Sequence, residues 1–249
     1  MNAPLLRLAV AGLLACLGSA ALAASGTPPL SISLAGAGAH GETSSALQIF
    51  LTLTALSFIP AALICMTSFV RIVVVLSMLR HAIGLTETPP NTVIVSLALF
   101  LTLFSMSPVL QKVNDDALQP YLAGKTTPMA ALETGKAPVR DFMIRQTREQ
   151  DLMLMIDVAH AQRPATPADI NLVHLVPAFM LSELRAAFQI GFVIYLPFLL
   201  VDLIVSSVLM ALGMMMVPPT TLSIPLKILL FVLIDGWNIV IKALLETFH

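Results

Sequence analysis

The chain has 249 residues, of which 57% are hydrophobic and 11% charged, with a net charge of −1 and a mean hydropathy of +0.92. Water-soluble domains carry about 25% charged residues, so a soluble globular enzyme, a disordered chain and a nucleic-acid binder are all excluded. The chain is built to meet lipid.

In chain order, the first 23 residues read as a secretory signal peptide. Arg7 and the amino terminus precede an apolar stretch over residues 8–17, and Ala21 and Ala23 supply the small residues that a signal peptidase needs. Cleavage is therefore expected after Ala23. An uncleaved anchor helix and a lipoprotein-type box ending at Cys16 are the alternatives. Residues 24–45 are rich in Gly, Ala, Ser and Pro, have no apolar period, and read as a flexible periplasmic segment. The two cysteines, Cys16 and Cys65, allow no disulfide framework.

Four apolar blocks come next, and they predict an all-α membrane protein made of two long, kinked helical hairpins. The first block covers residues 46–70 and continues past Arg71 to Arg80, with a kink expected at Pro60. The second, residues 92–110, holds no charge. The third, residues 186–217, is interrupted only by Asp202, and the fourth, residues 221–248, carries Lys227, Asp235 and Lys242. The first hairpin is thus placed at 46–110 and the second at 186–249.

Between them, residues 111–185 hold 8 of the 13 basic and 9 of the 14 acidic side chains, and read as a small helical domain outside the membrane. Asp141, Arg145 and Glu149 stand at i, i+4, i+8 spacing, a helix-stabilising ladder. Thr166-Pro167-Ala168-Asp169 has the pattern of a helix start. An exported amino terminus makes this domain periplasmic, and Arg71, Arg80 and His81 near the first inner turn agree with the positive-inside tendency.

Both inner turns share one pattern, Gly84 to Pro89-Pro90-Asn91 and Gly213 to Pro218-Pro219-Thr220, spaced 129 residues apart. Two independent helix stops explain it, as does a duplicated hairpin.

The chemistry carried by these residues is sparse. His40, His81, His160, His174 and His249 have no metal-ligand spacing among them, and no hydrolase or nucleotide-binding motif is present. Neither a catalytic residue, a cofactor nor a metal is expected. What remains is charge within apolar helices. Asp202 has 15 uncharged residues on either side, a placement that costs about 2.5–3.5 kcal/mol unless a partner or water answers it. Lys227 is the natural partner, although counting from Val217 leaves the two five residues out of step, about 7 Å by helical rise. A proton relay and a buried ion pair serving assembly are both open readings. Glu183 and Arg185 stand where the third block begins, and interfacial solvation or snorkelling suffices to account for them. Met214, Met215 and Met216 form a flexible, polarizable surface at the second turn, either a pore seal or gap-filling at a crowded corner.

Several stretches together resemble the FliP family of flagellar type III export-gate proteins. They include Thr67-Ser68-Phe69-Val70-Arg71-Ile72, Pro89-Pro90-Asn91, Met106-Ser107-Pro108 and Arg145-Gln146-Thr147-Arg148-Glu149. Further on they include Ser182-Glu183-Leu184, Phe188-Gln189-Ile190-Gly191-Phe192, Asp202, residues 207–219, Lys227 and Asp235-Gly236-Trp237. The resemblance covers residues 46–249. It implies a non-enzymatic, pore-forming core subunit in the bacterial inner membrane at the flagellar basal body. In that family, five copies assemble with four copies of the small partner FliQ and one of the larger partner FliR. Unfolded flagellar proteins cross the resulting gate, which sits partly above the plane of ordinary bilayer spans. The signal peptide favours the flagellar over the injectisome branch. Two readings of other classes remain beside it: a proton-coupled transporter and a structural assembly factor without a conduit.

Overall fold

In a computed structural model of the protein, the described residues are 50, 53–54, 57–58, 60–62, 64–162, 166, 169–214 and 216–248. The signal peptide with Ala21 and Ala23, the segment 24–45, His40, Pro167, Ala168, Met215 and His249 lie outside them. Residues Thr54–His249 make up one compact unit, which contains both cores.

The described break in the first apolar block lies at Met66, Thr67 and Ser68, whereas Pro60 stands in helical backbone. Helix α1 then runs over Phe69–Ile83. Its residues Ile72, Val75, Leu76, Leu79 and Ala82 recur at i, i+3, i+4, i+7 and i+10, and all are buried. This stripe is the centre of the main core, which also takes in Ile94, Ala98, Ala187, Phe198, Phe231, Val240 and Leu244. Gly84 ends α1 in the left-handed region at φ 93°, donating its N–H to the last carbonyls. A Cβ at Gly84 would stand 3.0 Å from Ile224, so the turn needs glycine both for its backbone and for its neighbour.

Helix α2, Asn91–Ser105, returns along α1 and is followed after Met106 by α3, Ser107–Val113. The second block is therefore not one straight span, because the chain bends by 59° at this break. A π-helical turn, Asn114–Leu118, and a single turn, α4, Gln119–Leu122, carry the chain into the central region.

That region is helical. Helix α5, Pro128–Gln146, starts at Thr127, whose hydroxyl accepts the Ala130 N–H, with proline at the first helical position. Helix α6, Glu149–Val158, comes after two extended residues, Thr147 and Arg148. This break divides the expected charge ladder, since Glu149 falls on a different helix from Asp141 and Arg145. A second core joins this region to the long helix through Met106, Val109, Phe142, Met143, Ile170, Leu175 and Phe179. Phe142 and Phe179 meet edge to face at 6.0 Å.

Of the expected helix start at Thr166, Pro167 and Ala168 lie outside the described residues; the Asp169 carboxylate accepts the Thr166 N–H and hydroxyl, and the Asp169 N–H donates to the Thr166 carbonyl. The long helix begins later, at Leu172, with the Asn171 side chain accepting the Val173 N–H. From there α7 runs unbroken over Leu172–Ala211, 40 residues and about 60 Å, passing residue 185 without interruption. Pro177 and Pro197 each remove one backbone donor but do not end it. It is the one helix among the described residues that is by itself long and apolar enough to cross a membrane, and only 11% of its most apolar window is covered by the chain itself.

Gly213, at φ 74°, comes after α7, and α8, Pro219–Leu233, returns along it. The fourth block then bends by 67° into α9, Gly236–Glu246. The elbow is Asp235, left-handed at φ 50°, beside Gly236, whose missing Cβ leaves room for the Phe231 ring. The two turns are thus alike in more than sequence. Each has a left-handed glycine, a proline pair and a 15-residue return helix that ends in a bend.

Candidate functional site

The structure places two charge pairs at two depths along α7. The first is occupied by Glu183. Rather than resting at a solvated membrane edge, Glu183 is wholly buried and bound by Arg71. Arg71 Nε donates to Glu183 Oε2 at 2.8 Å and Nη2 to Oε1 at 2.5 Å, a two-pronged carboxylate clamp. Arg71 is 4% exposed, so it belongs to the core and not to the positive charge of the inner turn.

The rest of the guanidinium is accounted for as well. Nη2 also donates to Gln146 Oε1 at 3.0 Å, and Nη1 donates to Thr247 Oγ1 at 3.0 Å and to the Thr247 carbonyl at 3.3 Å. All five donors of the group are matched, and the Phe248 ring covers its face at 4.1 Å. Saturation is what makes the burial tolerable, since each unmatched buried donor costs about 1–3 kcal/mol. The neighbouring Ser182 hydroxyl accepts the Arg148 N–H at 3.0 Å and donates to Asp151 Oδ2 at 2.7 Å. Two adjacent residues of α7 thereby tie α1, the end of α5, the start of α6 and the segment after α9 to one point.

The second depth is that of Asp202. Lys227 Nζ donates to Asp202 Oδ2 at 2.6 Å within one chain. The expected five-residue mismatch disappears because the turn is not centred on Val217. Asp202 stands nine residues before the end of α7 and Lys227 eight residues after the start of α8. Lys227 is buried, whereas the Asp202 side chain is 35% exposed, and its Oδ1 is buried without a partner. Ser206, one turn on, donates to the Asp202 carbonyl at 2.8 Å.

The methionine turn lies at the end of α7. Met216 is 96% exposed and Met214 44%; Met215 is outside the described residues. Among its described residues this turn has backbone bonds from Met214 N–H to the Leu209 carbonyl and from Val217 N–H to the Met214 carbonyl, and the Thr221 hydroxyl donates to the Pro218 carbonyl where the next helix starts. The first turn differs, because Arg80 Nη1 spans it by donating to the Pro89 carbonyl at 3.1 Å and to Asn91 Oδ1 at 2.7 Å. Among the described residues no group of three or more His, Cys, Asp or Glu stands close enough to hold a metal ion.

Comparison with known proteins agrees with the resemblance read from the sequence. The model of the FliP family matches residues 52–244. The flagellar biosynthetic protein FliP of Pectobacterium carotovorum subsp. carotovorum is 52% identical over 202 residues, covering 81% of this chain and 78% of that protein. The Bacillus subtilis (strain 168) protein of the same name is 47% identical over 207 residues, covering 83% and 94%. That of Caulobacter vibrioides is 42% identical over 244 residues, covering 98% and 91%. With most of its length matched at these identities, the chain belongs to the FliP family.

Proposed function

We propose that this protein is a pore-forming core subunit of the flagellar type III export gate, passing unfolded flagellar proteins across the bacterial inner membrane and required for flagellum assembly. Its relatives carry the name flagellar biosynthetic protein, which supports a role in flagellar export. The observation that carries the finer reading is the mismatch between α7 and its own chain. Most of its apolar surface is uncovered, yet Asp202 presents a third of a charged side chain on it. Lipid would satisfy the first feature and oppose the second. Neighbouring subunits satisfy both.

On this reading the chain assembles as a pentamer, with FliQ and FliR as partners, and takes part in no reaction and needs no cofactor. Residues 1–23 are removed after Ala23, and residues 111–185 face the periplasm. Met214, Met215 and Met216 seal the conduit, while Asp202, Lys227 and Glu183 hold the subunit in the shape that assembles. In-frame deletion of the coding sequence in its host tests the reading. Secreted hook protein should fall below detection while its cytoplasmic level persists, and the intact chain should restore secretion. Normal secretion by the deletion strain would overturn the assignment.

A further inference from the structure

We propose that Arg71 is the receptor of an intramolecular latch, in which Thr247 and Phe248 hold α9 folded back at the Asp235 elbow. The inference concerns this chain's own geometry and stands whether or not the assembled protein is a conduit.

Three observations carry it. The first is that the elbow is not the only conformation open to residues 219–246. The segment passes as a single membrane-length stretch when its two helices are taken together. In line, its 28 residues would extend about 42 Å, whereas α8 alone reaches about 22 Å, short of a hydrocarbon core of roughly 30 Å. The bend is made by a non-glycine residue in the left-handed region, a conformation less favourable for Asp235 than the helical one. Something beyond the elbow must favour the folded form.

The second observation is the division of labour around Arg71. Three of its five donors are answered by Glu183 and Gln146, which lie on α7 and α5 and do not depend on α9. The two on Nη1 are answered by Thr247 alone, and the face of the guanidinium is covered by Phe248. A docked arm is thus what completes the arginine's bonding. With the arm away, two donors of a 4%-exposed side chain lose their acceptors.

The third is the seat of the arm. Val240 and Leu244 enter the core formed around α1, and Phe248 packs against both cores. Trp237 and Phe231 meet edge to face at 5.4 Å across the elbow. The arm is therefore anchored at its start by aromatic contact, along its length by apolar burial and at its end by Arg71. Its far end is set by the last of these, because apolar burial is non-directional and the Trp237–Phe231 contact lies at the elbow. Docked or released, it decides whether this part of the chain lies folded within the subunit or extends far enough to cross a bilayer.

Pulsed electron–electron spin distances test the latch in the full chain. Cys16 and Cys65 are replaced by Ala, nitroxides are placed at Asp141→Cys and Glu246→Cys on exposed positions of α5 and α9, and labelled chain is diluted with unlabelled chain before reconstitution. The parent should give one narrow distance population. Thr247→Val with Phe248→Ala should move at least a third of the molecules to a longer distance. Arg71→Lys, which keeps a charge for Glu183 but lacks the second edge, should do the same. Thr247→Val alone should produce a smaller fraction of the same long population, and it decides the matter if the double variant fails to fold. An unshifted single population in Thr247→Val and in Arg71→Lys would overturn the proposal.

Discussion

A carboxylate in the middle of an apolar helix is unfavourable unless another group answers its charge, and Lys227 answers Asp202 at 2.6 Å. The pair is legible in the sequence because each residue is conspicuous among uncharged neighbours. Arg71 stands just as conspicuously between Val70 and Ile72, but its partner Glu183 lies 112 residues away, and no spacing rule connects the two. Gln146, Thr247 and Phe248 are silent in the sequence for the same reason. The one sequence signal against Arg71 as an inner-turn charge is its distance of 13 residues from Gly84. Asp202→Ala or Lys227→Ala is each expected to cost on the order of 3 kcal/mol, since one change strands the other charge. The double variant should lose less than the sum. Thermal melting of the detergent-solubilised chain measures the cycle, and strictly additive losses would mean that the two residues do not depend on each other. Normal melting with abolished secretion would favour the proton-relay reading.

At the scale of elements, apolar runs locate the helices but not their ends. The start of α7 is hidden because Leu172, Val173, Leu175 and Val176 belong to a region whose charges make it look separate from the span. Its prolines give no guidance, since tertiary packing overrides the loss of one backbone bond. The bends at Met106 and Asp235 fall inside apolar runs that mask them, although each carries a local signal: Pro108 stands in the first turn after Met106, and Asp235-Gly236 is a turn-favouring dipeptide. The two turns are readable as places where helices stop, from glycine followed by two prolines. Their contrast comes from the structure: Arg80 pins the first, whereas among the described residues no side chain bridges the second from end to end. An unpinned loop with a 96%-exposed Met216 suits a seal that must yield to unfolded chains of any sequence. Replacing Met214, Met215 and Met216 together by Ala is therefore expected to leave the complex assembled and to make the membrane leaky to small anions, read as arrested growth in high-iodide medium or as conductance in a planar bilayer. An assembled but ion-tight triple variant would place the seal elsewhere.

At the scale of the whole molecule, the described chain forms two small cores, one around α1 and one between the central helices and α7, and leaves large apolar side chains on the outside, among them Phe188, Phe192, Leu200, Ile204, Leu226 and Val232. Composition already requires a partner other than water. What composition does not contain is how much of that surface meets lipid and how much meets protein, because both solvents are equally apolar. On the proposed reading, the one-third-exposed Asp202 side chain favours protein. The pairing of Arg71 with Glu183 and of Met78 with Gly191 shows that α1 and α7 run in the same direction, while α2 and α8 return. A subunit with this arrangement offers uncovered helices on its outside, as a ring of identical chains requires. Native mass spectrometry of the complex extracted in mild detergent tests this claim most directly. The expected species contains five copies of this chain, alone or with the smaller and larger gate partners. A chain that is released only as monomer or dimer would contradict it.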